Sequence, residues 1–598
     1  MKSLVPFCIL LAVSLLLIFR EYPRRHPGLE YPDRCMACHH KMNDPGKSHA
    51  LQAFGCASCH LGNPYSLDKE RAHVGMVRNP GDLRIVDKTC GKPSCHPKIA
   101  SRVKRSVMAT NRGILRSIQT HWTPLQVFKT SVPELLGPSP PTNVAIDHYR
   151  KMCGGCHLWK KREDHAGEIG LRGGGCSDCH VPDSDSPGKI GENSGAHPLI
   201  TVHIPSANCL KCHNRSARIG LSYMGRYESS GYGTPYEGAR LNSRRLSGRR
   251  FFLQVGSDVH FRKGKMSCID CHTSTGVMGD GNEYDQMDAQ VDITCRACHD
   301  PRFGKNKDPE SATSILLSAN GHIPHGPETR MGLTRKGTLL YNLQLVGGKP
   351  AFFRKNDGRP LELPVDSGKK AYHSLPGHDR LSCQSCHSSW MPQCYGCHIT
   401  YNRDEMQKDW LTGIPGKGRW REARSFMRFL KPALGVRKGS TIFPISPCQV
   451  FLPRFVTQHR LKKDASGRIF TVSAFDPHTT TLETRTCTDC HGDPKTLGLG
   501  EGILCRRDNA WVFRPAYDSA ASGLGISFPL DGVADQPQKN DGGLSVSGAR
   551  PFNKPEIRHI LSVDGCLGCH DRYDDPIYRD FAHSLSVFKR RQDLPCKK

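Results

Sequence analysis

Long apolar runs are almost absent from this chain of 598 residues. Hydrophobic residues make up 37% of it and aromatic residues 7%. After residue 20, no apolar run is long enough to span a bilayer, which excludes a protein with several transmembrane helices. Because 59 glycines and 42 prolines interrupt regular backbone, we expect neither long helices nor large sheets.

A cleavage site is missing after the one apolar run, residues 4–19, which has the length of an export signal. A cleavage site is normally preceded by small residues, but the residues at this point, Ile18 to Tyr22, are all large. We favour an uncleaved signal-anchor over residues 1–20. The alternative is an export peptide cleaved at a poor site, which would leave a soluble periplasmic or cell-surface protein.

Cysteine, in contrast, is abundant, and 24 of the 28 cysteines fall in twelve short motifs that each end in His. Eleven motifs read C-x-x-C-H, and the third has a longer spacer. In chain order, motifs 1 to 12 are Cys35-Cys38-His39, Cys56-Cys59-His60, Cys90-Cys95-His96, Cys153-Cys156-His157, Cys176-Cys179-His180, Cys209-Cys212-His213, Cys268-Cys271-His272, Cys295-Cys298-His299, Cys383-Cys386-His387, Cys394-Cys397-His398, Cys487-Cys490-His491 and Cys566-Cys569-His570. Chance would give roughly 0.07 C-x-x-C-H strings in this composition.

C-x-x-C-H is the attachment signature of c-type haem: the two thiols add to the vinyl groups and the His binds the iron. A disulfide scaffold needs no His after every second Cys, and zinc needs two Cys pairs converging on one ion. The sequence therefore predicts twelve covalent haems, each motif forming a helical turn. Of the leftover Cys8, Cys448, Cys505 and Cys596, a Cys448–Cys505 disulfide remains open.

Acidic residues are too few to balance the basic ones, leaving a formal charge of +28. Such an excess usually indicates nucleic acid or an anionic surface. Each haem, however, carries two propionates, so twelve haems would offset about 24 positive charges. Arginine is well suited to hold these carboxylates, and we exclude a nucleic-acid-binding role.

Each iron needs a second axial ligand, and eighteen His remain after the twelve motif His are assigned. Most of the candidates lie just upstream of a motif, and His40 follows His39 directly. The predicted distal ligands are His40, His49, His73, His121, His148, His203, His260, His325, His373, His378, His478 and His559. Ligation by His on both faces predicts low reduction potentials.

The motifs cluster along the chain, and the stretches between them favour β-structure. Residues 337–365 predict a hairpin, with Gly347-Gly348 as one turn. The organisation we predict is 1–20 export segment, 21–135 haems 1–3, 136–325 haems 4–8, 326–380 β-rich, 381–400 haems 9–10, 401–486 β-rich and 487–598 haems 11–12. The expected fold class is a multihaem cytochrome c, haem-centred and loop-rich, with short α-helices and minor β-hairpin regions.

The set of motifs resembles that of the large multihaem c-type cytochromes of metal-respiring bacteria. An N-terminal anchor followed by haems is also similar to the quinol-oxidising tetrahaem cytochromes, but twelve motifs depart far from that family. The resemblance implies an electron carrier of anaerobic or extracellular respiration at the periplasmic face of the inner membrane. Its partners would be redox proteins, a quinone-linked complex or an outer-membrane barrel.

The alternative is a multihaem reductase of a small oxyanion such as nitrite, hydroxylamine, sulfite, tetrathionate or a metalloid oxyanion. Such enzymes keep one haem open or use an unusual proximal ligand, often the Lys of C-x-x-C-K. No C-x-x-C-K occurs in this chain. We therefore favour electron transfer over catalysis.

Overall fold

The computed structural model describes most of residues 31–590 and places them in a mixed helix and sheet architecture. Its backbone description leaves out residues 1–30, 123–128, 163–166, 183–196, 215–218, 230–243, 248–249, 308–311, 320, 365–372, 374, 438–439, 458–459, 463–468, 508–509, 517–528, 530, 535–544, 547 and 591–598. Side chains are also outside the description at 121–122, 167–168, 219, 229, 244–247, 250, 312, 315, 318–319, 394–398, 423–429, 447–457, 460–462, 469–471 and 545–546. The predicted export segment lies outside the described residues, and no described helix has the length and apolar character to cross a membrane.

The described helices are short, as the sequence predicts, and the longest has 11 residues, Arg112–Trp122. The α-helices are Cys35–Cys38, Leu51–Phe54, Ala57–His60, Lys69–Ala72, Pro97–Arg105, Val107–Thr110, Arg112–Trp122, Val132–Leu135, Val144–His148, Gly167–Gly170, Cys176–His180, Ser206–Leu210, Ile219–Tyr223, Val259–Arg262, Cys268–Cys271, Ser274–Met278, Met287–Gln290, Arg296–His299, Ala312–Ala319, Cys383–His387, Cys487–His491, Lys554–Leu561, Asp564–Leu567 and Phe581–Arg590. A π-helical turn, Tyr149–Cys153, leads into motif 4.

The described strands form four sheets. They are β1 Arg226–Ser229, β2 Arg244–Ser247, β3 Arg250–Gln254, β4 Phe303–Lys305, β5 Arg330–Leu333, β6 Leu339–Val346, β7 Lys349–Phe353, β8 Pro360–Leu361, β9 Met391–Lys408, β10 Pro415–Leu430, β11 Ala433–Val436, β12 Ile442–Thr457, β13 Arg460–Lys462, β14 Ile469–Ala474, β15 Gly502–Arg507, β16 Ala510–Pro515, β17 Ser545–Val546 and β18 Arg550–Pro551. The largest sheet has eight strands in the order β10-β9-β12-β11-β18, with β13, β14 and β17 attached at its side.

The hairpin predicted around Gly347-Gly348 is present: β6 and β7 pair antiparallel, with Val346 opposite Lys349. Gly347 and Gly348 both have positive φ, 57° and 78°, as a two-residue turn of type I′ requires. The expectation that large sheets are absent was wrong, because β9, β10 and β12 are 16 to 18 residues long. The glycine and proline content of the whole chain gave no sign of the pairing that stabilises long strands between residues 391 and 457.

The hydrophobic core is divided into small clusters rather than gathered in one place. The largest contains seven buried residues, among them Leu434, Phe552 and Leu561, and it packs against β15 and β16. Other clusters lie under the five-stranded sheet and around the helix Pro97–Arg105. Between the clusters runs a cavity of about 4850 Å³, several times the roughly 300–1,000 Å³ of a pocket for one small ligand.

Candidate cofactor-binding site

The cavity is lined by thiols and imidazoles of seven motifs, 4 to 9 and 11. The lining motif residues are Cys153, Cys156, His157, Cys179, His180, Cys209, Cys212, His213, Cys268, Cys271, His272, Cys295, Cys298, His299, Cys383, Cys386, His387, Cys487, Cys490 and His491. Motif 12 borders the same space through Leu567, and Tyr578 further along the chain lines it as well. A continuous space with attachment residues along its walls fits several large flat cofactors placed side by side.

Most motifs form the expected tight turn, closed by a hydrogen bond from the motif His amide to the carbonyl of the first Cys. This bond measures 2.9 Å in motif 1, from His39 to Cys35, and 2.9 Å in motif 12, from His570 to Cys566. The longer motif 3 closes in the same way, His96 donating to Cys90 at 2.9 Å. The extra residues of motif 3 are therefore absorbed inside the turn.

Motif 10 departs from the prediction of a helical turn. Its residues 394–398 lie inside β9, where the backbone of His398 pairs with Ala423 on one side and Leu452 on the other. An extended backbone separates the two Cys positions by about 10 Å, against a rise of about 4.5 Å in a helical turn. The prediction of a turn was wrong here, because pairing with two long strands outweighs the local preference of the motif.

Six motif histidines each face one histidine from outside the motifs. The ring centres are 5.9 to 6.3 Å apart in the pairs His39–His73, His96–His49, His60–His197, His299–His260, His272–His478 and His491–His378. Two metal–nitrogen bonds of about 2 Å in line with two imidazoles would separate the ring centres by roughly 6.4 Å. Ordinary ring contacts also reach about 6 Å, but each of these six contacts joins a motif His to a His from elsewhere in the chain.

The hydrogen bonds of these rings fix which ring nitrogen is left available to a metal. In His60, His299 and His491, Nδ1 lies 2.7 to 2.9 Å from a backbone carbonyl oxygen. Since a carbonyl only accepts, Nδ1 must carry the hydrogen, and Nε2 keeps a lone pair. His73 and His197 are anchored in the same way, at 2.6 and 2.8 Å. Fixing one ring nitrogen so that the other binds a metal is the usual role of such second partners.

Burial keeps several motif imidazoles neutral. Desolvation lowers the pKa of His157 to about 3 and that of His272 to about 4. Both ring nitrogens of His157 are buried without a hydrogen-bond partner, an arrangement that a coordinated iron would relieve. His478 differs, because the Asp476 carboxylate outweighs burial and raises the pKa of His478 to about 9; metal binding there has to release a proton.

Buried cations stand beside the motif thiols. Arg172 is 2% exposed; its Nη1 lies 3.0 Å from Cys156 Sγ, while its Nε and Nη2 have no hydrogen-bond partner. Arg485 lies near Cys386 and Cys490; its two Nη atoms donate to Thr496 Oγ1 and the Pro432 carbonyl oxygen, and only its Nε is unpartnered. Lys355, close to Cys271 and Cys298, is so desolvated that its pKa falls to about 8. Buried guanidinium groups need anionic partners, and carboxylates of a cofactor in the cavity would supply them.

The motifs lie next to one another in a definite order. Thiols from two different motifs are in hydrogen-bonding contact in the pairs Cys35–Cys56, Cys90–Cys176, Cys209–Cys268, Cys156–Cys212 and Cys295–Cys383. At longer range, and less strongly than burial, one thiol raises the pKa of the other in the pairs Cys59 and Cys90, Cys179 and Cys209, Cys271 and Cys298, and Cys386 and Cys490. The resulting line runs through motifs 1, 2, 3, 5, 6, 7, 8, 9 and 11, with motif 4 branching from motif 6.

Five of the predicted distal histidines each face a motif His: His49, His73, His260, His378 and His478. Four others, His40, His325, His373 and His559, are exposed. His40, His325 and His559 make no such ring pair among the described residues, and His373 and His559 line the cavity. His148 packs its ring on Trp420 at 4.7 Å, and the side chain of His121 lies outside the description. His203 faces His322 at 5.4 Å, and neither belongs to a motif.

Two histidines with ring partners, His197 and His322, were missed by sequence reasoning. Neither stands close before a motif, so no local signal distinguished them. The open question of a Cys448–Cys505 disulfide stays open, since Cys505 is half-buried on β15 while the Cys448 side chain is not described. Comparisons with protein-family models, curated proteins and solved structures find no match to this chain.

Proposed function

We propose that this chain is an electron-transfer protein that carries single electrons along c-type haems, one attached at each of its twelve motifs. The observation that carries the proposal is the set of six histidine pairs, each joining one motif His to one His from elsewhere in the chain. Neither zinc sites nor disulfides would explain why each of these six motif His is paired with a second His. Haem iron, which takes an axial ligand on each face, would explain it.

Ligation on both faces favours conduction over catalysis. A small oxyanion can be reduced only at an iron with an open position, whereas electron transfer needs saturated irons that lie close together. In six motifs, a second histidine lies where its imidazole could occupy the other face of a haem iron. His on both faces also favours low potentials, as anaerobic respiration requires.

The contacts between thiols support a continuous route. Each thiol would bond to the edge of one macrocycle, so thiols in contact, such as Cys209 and Cys268, bring two macrocycle edges close together. Tunnelling falls steeply with edge-to-edge distance, and short gaps permit rapid transfer. The chain's own residues attach the haems, orient them and exclude water, while the haems supply the one-electron chemistry.

The same proposal accounts for the charge. Arg172, with Nε and Nη2 buried and unpartnered, and Arg485, with its Nε in the same condition, lie beside motif thiols and are suited to bind propionates. Attachment of c-type haem takes place outside the energy-transducing membrane, so we propose export, with the body at the periplasmic face and redox proteins as partners.

The test is a haem count together with spin-state spectroscopy on the purified protein. Intact mass and pyridine haemochrome titration should give twelve haems per chain. Low-temperature EPR of the oxidised protein should show low-spin ferric signals alone, and carbon monoxide should barely shift the Soret band of the reduced form. A stoichiometric high-spin signal that responds to nitrite or sulfite would instead favour the reductase, and a haem-free protein would overturn the proposal.

A further inference from the structure

The two-stranded hairpin of β15 and β16 has two chemically distinct faces. Residues directly opposite one another in the register share a face, as Ile503 does with Arg514 and Leu504 does with Phe513. One face therefore carries Leu504, Arg506, Trp511 and Phe513. The other carries Ile503, Cys505, Arg507, Val512 and Arg514.

The inner face connects the hairpin to the last two motifs. Leu504 and Trp511 pack against the core cluster that also contacts Cys490 of motif 11. Arg506 approaches the backbone just before Cys566, where a Cβ added at Gly565 would lie 3.8 Å from its Nη1. Arg506 also lowers the pKa of Asp564, although burial acts more strongly to raise it. The hairpin is thus fixed beside motif 12.

The outer face is apolar at its centre and basic around it. Ile503 is 65% exposed and Val512 39%, and Arg507 and Arg514 are exposed as well. The described residues of the hairpin include no carboxylate, and the sequence places a single Asp508 at the turn. Exposed apolar residues within a charged rim are the anatomy of a protein–protein interface.

Motif 12 is placed at one end of the line of motifs. It meets motif 11, where Cys487 Sγ lies 3.7 Å from the backbone oxygen of Asp571, and Tyr578 stands close to both Cys487 and Cys566. Cys569 is exposed. An exposed site at the end of a line is where electrons would pass to or from another molecule.

We propose that the outer face of the β15–β16 hairpin docks a redox protein whose own redox group is surrounded by carboxylates, and that electrons cross at motif 12. The inference rests on the proposed function, because it needs a haem there. Charge complementarity of this kind mainly raises the association rate, and salt weakens it. An anionic membrane surface is the rival occupant, but it would have no use for an adjacent redox site.

The test measures reduction of the holoprotein by two donors: reduced flavodoxin, as an acidic protein probe, and methyl viologen radical, as a small cation. The R507E/R514E double variant reverses the charge of the outer face. A matched control, K349E/R359E, reverses two exposed charges at the five-stranded sheet, Lys349 in β7 and Arg359 just before β8.

At low salt, R507E/R514E should slow reduction by flavodoxin at least tenfold, and the difference should vanish at high salt. Reduction by methyl viologen should not change in either variant, and K349E/R359E should behave as wild type with both donors. Equal flavodoxin rates in all three proteins, with normal viologen reduction, would overturn the docking site and leave the proposed function intact. Failure of both donors to reduce wild type would overturn the proposed function.

The rival occupant is tested by flotation with vesicles of anionic phospholipid. Wild type and R507E/R514E should float to the same extent. Flotation that is lost only in R507E/R514E, together with unchanged flavodoxin rates, would assign the face to a membrane.

Discussion

The ring of His49 faces the ring of His96 at 6.3 Å between centres, although His49 lies just upstream of Cys56 in a different motif. The same crossing recurs elsewhere: His260, His378 and His478 precede motifs 7, 9 and 11 but face the histidines of motifs 8, 11 and 7. A short segment therefore ties the iron ligand of one proposed haem to the attachment turn of another. This connection fixes the position of one motif relative to its neighbour.

Replacing His49 should consequently open the haem of motif 3 and not that of motif 2. We expect the H49A holoprotein to show one high-spin iron by EPR and a carbon monoxide shift of matching amplitude. In the C90S/C95S background, which lacks attachment at motif 3, H49A should add no further high-spin signal. A signal that persists in that background would assign His49 to another haem.

Removing the buried charge of Arg172 should lower the reduction potential of one haem. Hydrogen bonds to charged groups contribute about 1.5–3 kcal/mol, which for a one-electron couple corresponds to roughly 60–130 mV. Spectroelectrochemical titration of R172L should show a single component displaced by this amount. The control R359L removes an exposed guanidinium and should leave the titration unchanged; an unchanged R172L curve would contradict a propionate contact.

The sequence alone predicts the local features of this molecule and few of the long-range ones. The turns of motifs such as Cys176–His180 and the hairpin at Gly347-Gly348 depend on contacts between residues a few positions apart. The spacing of residue types in the sequence is therefore enough to predict them. The partner of each motif histidine depends on chain segments that meet only in the folded molecule. Proximity in sequence therefore selected five histidines that face a motif His, but it leaves open which motif each of them faces, and it missed His197 entirely.

Strand length was equally hard to anticipate. β9, β10 and β12 stabilise one another by pairing, with β12 running parallel to β9 over residues 398–402. The stabilisation of each strand comes from its contacts with neighbouring strands and not from its own residues. The glycine and proline content of the chain therefore does not predict the length of these strands.

We expect no side chain to be tolerated at Gly175, the residue just before motif 5, because its backbone has a positive φ of 66°. An added Cβ would collide with the carbonyl oxygen of Gly81, which accepts the Cys176 amide at 2.9 Å. We expect G175A to reduce the free energy of unfolding by about 3 kcal/mol and to lower the yield of haem at Cys176. Urea denaturation and intact mass measure the two effects. G256A, where nothing lies within 4 Å of the added Cβ, should match wild type.

Motif 10 allows the sharpest test of attachment, because its backbone lies in strand β9, where it pairs with β10 and, at His398, also with β12. Two thiols can bond to one macrocycle only from a tight turn, so attachment at Cys394 and Cys397 must draw residues 394–398 out of the strand. The remainder of β9 still pairs with β10 from Ile399 to Lys408, and the sheet should survive this local change. We therefore expect intact mass to show that the C394S/C397S variant is lighter than wild type by one haem. The β-sheet signal in circular dichroism should be at least as strong in the variant as in wild type, because the variant keeps residues 394–398 in the strand. An equal haem mass in the two proteins would mean that the strand persists and that the chain carries eleven haems.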